Sequence, residues 1–305
     1  MIYTLTLNPA LDYVVHPDTL IPGKISRSRN ERIFYGGKGI NISLVLRELG
    51  IESVATGFIA GFTGDELVRM LLEEDVRCEF IRLESGMTRI NVKIRDGLET
   101  DINASGPQVT EKDVQRLYDR LDRLEQGDML ILAGSVPQNL SACTCSSIMD
   151  RLSRKGVSFV VDAAGELLTN ALPYKPFLIK PNIEELSEIF GVDIYGADEA
   201  AAYALTLQKM GAKNVLVSMG ENGAVLLAES GEFYNAPVFR GKVINTVGAG
   251  DSMLAAFIAM YSSTYDLRHS LDFSAAAGSA AAFSEALPKE ADIYALYEQL
   301  SDLSI

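Results

Sequence analysis

Tryptophan is absent from this 305-residue chain, histidine occurs twice and cysteine three times. Each scarcity removes a class of chemistry. Cys78, Cys143 and Cys145 show no zinc-type spacing and cannot all pair, so a disulfide framework is excluded and a reducing compartment is expected. Cys143 and Cys145 stand too close for an ordinary structural bridge and are expected to pack as small hydrophobes. His16 precedes Pro17 and His269 follows Arg268 in a polar stretch, which argues against a histidine-dependent hydrolase and a histidine-rich metal site. Basic residues are in deficit too: 27 lysines and arginines face 41 aspartates and glutamates, for a net charge of −14. That balance argues against nucleic acid and an anionic membrane surface as partners. Every apolar run breaks well short of a membrane span. Residues 1–15 carry Asn8-Pro9 and Asp12 and no basic start, so no signal peptide is read there and a cytoplasmic location is expected.

What the chain does have is apolar mass and regular alternation. Hydrophobic residues make up 48% of the sequence, enough for a large core. Strand-like runs occupy 2–7, 53–59, 129–133, 159–162, 177–180, 215–219 and 224–227. Amphipathic helical stretches lie between them at 65–74, 111–124, 145–155, 183–190 and 198–210. This order predicts an α/β fold in three layers, α/β/α, with a mostly parallel central sheet. Ligands of such sheets sit at the carboxyl ends of the strands, and Asn8, Gly57, Gly134-Ser135, Asp162, Lys180 to Asn182 and Gly220 all follow strand-like runs. Two segments, 13–35 and 87–104, instead carry short alternating runs and the turns Pro22-Gly23 and Asp96-Gly97. They predict a small, half-exposed antiparallel sheet. We expect one domain over 1–305 with this discontinuous sheet attached.

The most informative stretch is Asn245-Thr246-Val247-Gly248-Ala249-Gly250-Asp251-Ser252, which runs into the apolar helical segment 253–260. Small residues let a backbone turn tightly and approach a ligand. The free amides and dipole of a helix starting there suit phosphate. A carboxylate at such a mouth makes sense as a base that takes a proton from a hydroxyl while the adjacent amides hold a phosphoryl group. Taken alone, the stretch also reads as a glycine turn with Asp251 as helix N-cap. A second glycine loop, Tyr35-Gly36-Gly37-Lys38-Gly39-Ile40-Asn41, opens another helical segment closed by Gly50. It fits neither the P-loop nor the dinucleotide spacing. In so acidic a protein, a phosphate site must gather local cations; Lys24, Arg27, Arg29, Lys38, Arg89 and Lys93 are the candidates.

Together these motifs resemble the PfkB (ribokinase-like) sugar kinase family, in the branch of 1-phosphofructokinase and tagatose-6-phosphate kinase. The signature from Asn245 to Ile258, the opening Thr6-Leu7-Asn8-Pro9-Ala10-Leu11-Asp12 and the loop Gly36 to Asn41 carry the resemblance. Thr88 to Lys93, Gly134-Ser135-Val136-Pro137, Lys180 to Leu186 and Ser218 to Ala224 follow in family order across essentially the whole chain. The resemblance implies a ribokinase-like fold whose small sheet is a lid over the sugar, with lids pairing between subunits as a homodimer.

It also implies roles. Asp251 is the expected base, and the amides of Gly248, Ala249 and Gly250 are the expected anion hole. Asp12, which is expected to end the first strand segment, matches the acceptor for sugar hydroxyls. Gly36 and Gly37 let the backbone reach the sugar, and Asn41 bonds its hydroxyls. Lys38 and Arg89 are expected at the phosphate already on the sugar, with Arg27 and Ser135 as further contacts. Lys180 and Asn182 resemble residues beside the ATP phosphates, while Ser218, Gly220 and Gly223 resemble those bordering the nucleotide. Glu185 completes an Asn-x-x-Glu motif that holds Mg²⁺ through water. Asn182 and Glu185 read equally as a helix N-terminus. The small residues 275–282 would let a helix approach the adenine, and Asp162 receives only a structural role. The expected reaction is ATP-dependent phosphorylation of a ketohexose monophosphate, led by fructose 1-phosphate. Tagatose 6-phosphate comes second and fructose 6-phosphate third; a non-catalytic phosphosugar sensor is the alternative from another class.

Overall fold

The computed structural model of the chain describes residues 1–21, 23–97, 99–141 and 143–302. Pro22 of the expected Pro22-Gly23 turn, and position 98 of the expected lid, lie outside the described residues. The chain opens with β1 (Ile2–Thr6), β2 (Ala10–Pro17) and β3 (Ser28–Gly36), followed by α1 (Lys38–Glu48), β4 (Ser53–Ile59) and α2 (Gly61–Glu73). Short strands β5 (Arg77–Cys78) and β6 (Ile81–Arg82) precede β7 (Arg89–Arg95) and β8 (Glu99–Ile102). The middle of the chain alternates: α3 (Glu111–Leu121), β9 (Met129–Ala133), α4 (Cys143–Leu152), β10 (Ser158–Asp162), α5 (Gly165–Thr169) and β11 (Leu178–Ile179). Next come α6 (Ile183–Phe190), α7 (Gly196–Met210), β12 (Asn214–Ser218), β13 (Ala224–Leu227) and β14 (Phe233–Asn235). Helices α8 (Ala249–Thr264), α9 (Leu267–Ala282), α10 (Glu290–Tyr297) and α11 (Gln299–Asp302) complete it.

The main sheet runs β14-β13-β12-β11-β10-β9-β1-β4-β5, with β6 added to β4. Pairing is parallel from β12 to β5 and antiparallel only at the edge strands β13 and β14. Strand alternation decides which helices cover which face. On β9 and β10, Leu130, Leu132, Phe159 and Val161 point to α3, α4 and α5, where they meet Leu117, Ile148 and Leu168. Their neighbours Ile131, Ala133 and Val160 point the other way, to Ile42 and Val45 of α1 and Leu254 and Phe257 of α8. The result is the expected three-layer α/β/α arrangement.

Strand β1 lies between β4 and β9, so the chain leaves it in one direction and later returns on the other side. Such a reversal opens a crevice at the carboxyl ends of the strands, which is where ligands bind. Gly57 does not reach that crevice. It lies inside β4, opposite Thr6, with φ +145°, and a Cβ there would stand 1.8 Å from the Thr6 carbonyl oxygen. Its absent side chain serves strand pairing.

The second sheet has the order β3-β2-β7-β8. It was expected to be antiparallel, and its two hairpins are. Its central pair, β2 with β7, is parallel. Alternation reports which face a residue occupies and carries no direction. The long crossover through α1, β4 and α2 brings β7 back in the same sense as β2. Asp12 likewise does not end β1 but lies within β2. The cysteines are all free: Cys145 is buried as expected, whereas Cys143 is exposed.

Candidate active site

A cleft of about 1230 Å³ opens at the strand ends between the two sheets and α8. That exceeds the usual range of about 300–1,000 Å³ for a site holding one small ligand, and it has room for two. Thr6, Asn8, Gly37, Lys38 and Asn41 line one part with Asp12, Arg89 and Lys93 of the second sheet. Lys180, Asn182, Glu185, Ser218, Gly220 and Gly223 line the other, and Gly248, Ala249, Gly250 and Asp251 stand between.

The two glycine loops, distant in sequence, meet there. Gly37 caps α1 with φ +126°, and a Cβ on it would lie 2.9 Å from Thr6 Cγ2, so only glycine lets α1 start this close to β1. One turn in, Asn41 Nδ2 donates to Asp251 Oδ2 at 2.8 Å. Gly248, in the left-handed region at φ +82°, is the N-cap of α8 and makes no side-chain cap bond. Asp251 is therefore not the N-cap, and its carboxylate is turned to Asn41 in the cleft. The Ala249 amide turns back to the Thr246 carbonyl at 3.3 Å, and Gly250 follows it in the first turn of α8, where backbone amides have no partner within the helix.

Below Asp251 lies a buried charge cluster. Asp162, wholly buried at the end of β10, accepts from Lys38 Nζ at 2.9 Å and pairs with Lys180 Nζ at 3.3 Å. Burial opposes its charge, but Lys180 and Lys38 outweigh that and hold its carboxyl below the usual carboxylate range. Lys38 responds in kind: burial works against the ammonium, yet Asp162, Glu185 and Asp251 push its pKa up. Asp251 has the opposite fate. Burial, helped by the negative charge of Asp162, raises it to about 6, against the Asn41 hydrogen bond and the two lysines. Two carboxylates with their pKa values driven apart are a signature of divided chemical roles. Asp162 was expected to have only a structural role; the structure places it at the centre of this charge cluster. The signal was present in the sequence: a charged residue ending an otherwise apolar strand at the ligand edge.

Asn182 and Glu185 form a reciprocal capping box at the start of α6. Glu185 N donates to Asn182 Oδ1 at 2.6 Å, and Asn182 N donates to Glu185 Oε2 at 3.0 Å. The helix-terminus reading is correct, and it leaves Glu185 Oε1 facing the cleft, 3.5 Å from Lys38 Nζ. Lys180 Nζ would stand 3.1 Å from a Cβ on Gly250, which ties the segment before α6 to the start of α8. Ser218 bridges to Asn182, so these elements share one edge.

The remaining expected residues divide. Gly36 is buried and leaves space for Asp12, whose Oδ1 would lie 2.6 Å from a Cβ on it. Arg89 donates to the carbonyls of Asn8 and Ala104 at 3.1 and 3.3 Å. Burial lowers its pKa and Asp12 opposes that fall. Ser135 is exposed at the cleft wall. Arg27 is exposed in the loop before β3 and is not among the residues lining the cleft. Small residues of α9, Ala275, Gly278, Ser279 and Ala282, line its far wall. Among the described residues no cluster of three or more His, Cys, Asp or Glu could hold a metal, and no helix is long and apolar enough to cross a membrane.

Comparison with known proteins agrees with this geometry. The chain is 41% identical to a 1-phosphofructokinase of Bacillus subtilis over 290 residues, 95% of each protein. It is 34% identical to a D-tagatose-1-phosphate kinase of Bacillus licheniformis, over 100% of this chain and 99% of that one. Among solved structures, phosphofructokinase-2 of Escherichia coli in complex with fructose-6-phosphate superposes with a TM-score of 0.90 at 29% identity, covering 98% of this chain and 99% of that one. The pfkB family carbohydrate kinase model matches residues 6–287. With its glycine loops meeting at Asp251 and its sequence matched from the end of β1 past α9, the chain belongs to the pfkB family of carbohydrate kinases.

Proposed function

We propose that this kinase transfers the terminal phosphoryl group of ATP to the 6-hydroxyl of fructose 1-phosphate. The observation that carries the reading is Asp251: a buried carboxylate at the start of α8, raised to about 6 and held by Asn41. Such a group is charged at neutral pH yet basic enough to take a hydroxyl proton, as general-base catalysis requires. In the transfer, the sugar oxygen bonds to the terminal phosphorus as the bond to the bridging oxygen breaks. The proton passes to Asp251 and ADP leaves. Phosphoryl transfer needs alignment and charge neutralisation more than covalent help.

Residue roles follow from placement. Lys180, Asn182, Ser218, Gly220 and Gly223 receive ATP. The Gly250 end of α8, with Gly248 and Ala249, faces the transferring group. Lys38 was expected at the sugar phosphate, but its ties to Asp162 and Glu185 support a place beside the transferring group instead. Arg89 then takes the phosphate already on the sugar, with Ser135 nearby, and Asp12 and Asn41 take hydroxyls. Mg²⁺ would be held at Glu185 Oε1 through water and phosphate oxygens; a single carboxylate oxygen outside the capping box fits that mode and not an all-protein cage. When bound it would neutralise phosphate charge. The second sheet would close over the sugar, and its exposed Ile33 and Ile102, with Ile25 in the loop before β3, support pairing of two copies there, which sedimentation would test.

An ADP-release assay with a panel of acceptors tests the reading. Fructose 1-phosphate should give the highest kcat/KM. The Bacillus licheniformis relative favours one second reading, tagatose 1-phosphate, which carries its phosphate on the same carbon. Tagatose 6-phosphate and fructose 6-phosphate should follow. Leadership by free fructose, ribose or a nucleoside would refute the phosphosugar reading, and no ADP release with any acceptor would favour a sensor.

A further inference from the structure

Asn91 and Lys93 stand two residues apart on β7 and so share one face of the second sheet. Strand β7 runs beside β2 with Asn91 opposite Asp12 and Lys93 opposite Val14. Both side chains converge on the Asp12 carboxylate. Asn91 Nδ2 donates to Oδ1 at 2.8 Å, whereas Lys93 Nζ lies 3.6 Å from Oδ2. The first contact occupies one oxygen. The second attracts the other without using its lone pairs, since 3.6 Å is too long for a hydrogen bond.

Lys93 is no surface lysine. Its side chain is 12% exposed and lines the cleft, although an ammonium withdrawn from water loses solvation that its partners must replace. Asp101, opposite it on β8, holds it from behind at 3.0 Å and also takes Arg95 at 2.9 Å. Lys93 therefore sits between two carboxylates. Arg89, by contrast, donates to the backbone carbonyls of Asn8 and Ala104 and makes no carboxylate ion pair among the described residues, which leaves its charge for an incoming phosphate. These different surroundings assign Arg89 and Lys93 different tasks.

We propose that Lys93 is a positioning residue for acceptor binding: with Asn91 it aims the Asp12 carboxylate into the cleft, so that Oδ2 accepts from neighbouring sugar hydroxyls. Lys93 acts through Asp12 and makes no contact with the acceptor's phosphate. The inference rests on the sugar-kinase reading of the cleft but not on which phosphosugar fills it.

A double-mutant cycle on the full chain tests this, using whichever acceptor the wild type turns over best. Lys93→Met should raise KM for the acceptor about 10- to 100-fold and leave KM for ATP within about 2-fold. In an Asp12→Asn background the same change should cost less than about 3-fold more, because the group through which Lys93 acts is gone. Lys93→Arg should recover most of the acceptor affinity. Lys93→Gln, polar and nearly as long, is run alongside so that the cycle survives if the methionine variant does not fold. Losses that multiply in the double variant would mean direct contact with the acceptor and would overturn the proposal. So would equal losses for ATP and acceptor, the mark of a merely structural lysine. If the wild type accepts only unphosphorylated sugars, the phosphosugar reading fails, while the cycle still decides the role of Lys93.

Discussion

Asn41 Nδ2 donates to Asp251 Oδ2 at 2.8 Å across 210 residues of sequence. The bond joins the helix that opens after the first glycine loop to the helix that opens after the second. It leaves Asp251 Oδ1 as the oxygen without that bond, and would orient the carboxylate for the proposed proton transfer. A base must be held in place before its pKa matters.

Asp251→Asn should lower kcat by about 10²–10⁴-fold, the range for loss of a general base, while KM for ATP changes little. Steady-state kinetics with purified protein checks it. Turnover near that of the wild type would reduce Asp251 to a structural residue.

The pH profile should carry the same group. Asp251 accepts a proton only as a carboxylate, so kcat/KM for the acceptor should rise as pH passes about 6 and level off above. In Asp251→Asn that acid limb should vanish from the residual activity.

Stability should move the other way at this residue. The folded pKa of Asp251 is raised from 3.8 to about 6, so its favourable contribution is present below the unfolded value and is lost as pH rises through about 6. At neutral pH its charge is a liability, and Asp251→Asn should stabilise the ligand-free protein by about 1–3 kcal/mol. Urea midpoints at pH 5 and pH 7.5 would show the gain growing with pH.

Asp162 is the counterpart. Its folded pKa is lowered, so its stabilisation is present above the unfolded value of 3.8 and is lost as pH falls through the folded value. Asp162→Asn leaves Lys38 and Lys180 without their shared carboxylate, and removing one partner of a buried pair costs about 3–5 kcal/mol. Denaturant melts at pH 7 check the loss; a neutral result would mean the lysines find other partners.

Arg89→Ala should raise KM for the phosphosugar by about 10- to 150-fold, equivalent to a charge-assisted contact of roughly 1.5–3 kcal/mol, with KM for ATP nearly unchanged. Lys38→Ala should instead fall mainly on kcat. If both variants weaken acceptor binding alone, Lys38 belongs with the sugar phosphate as the sequence first suggested.

Much of the fold could be read from one chain because its signals are local. The apolar runs at 53–59, 129–133 and 224–227 match β4, β9 and β13, and the helix at 183–190 matches α6. Each rests on periodicity and on turn residues that act within a few positions. The glycine loops and Asp251 were legible for the same reason, since tight turns before helices demand small residues. The direction of β7 beside β2 was not, because side-chain alternation is the same in parallel and antiparallel strands.

The sequence by itself determined the layered α/β class, the two glycine loops and the family, and it singled out Asp251 as the candidate base. The tertiary structure alone decided which charges face one another: Asp162 with Lys38 and Lys180, Glu185 Oε1 towards Lys38, and Lys93 between Asp12 and Asp101. The reason is physical. Backbone propensity and apolar periodicity depend on near neighbours, whereas Coulomb interactions and desolvation depend on distance and burial, which exist only once the strands have paired. That is why Asp162 and Asp251, two aspartates at similar strand and helix ends, leave folding with pKa values driven in opposite directions.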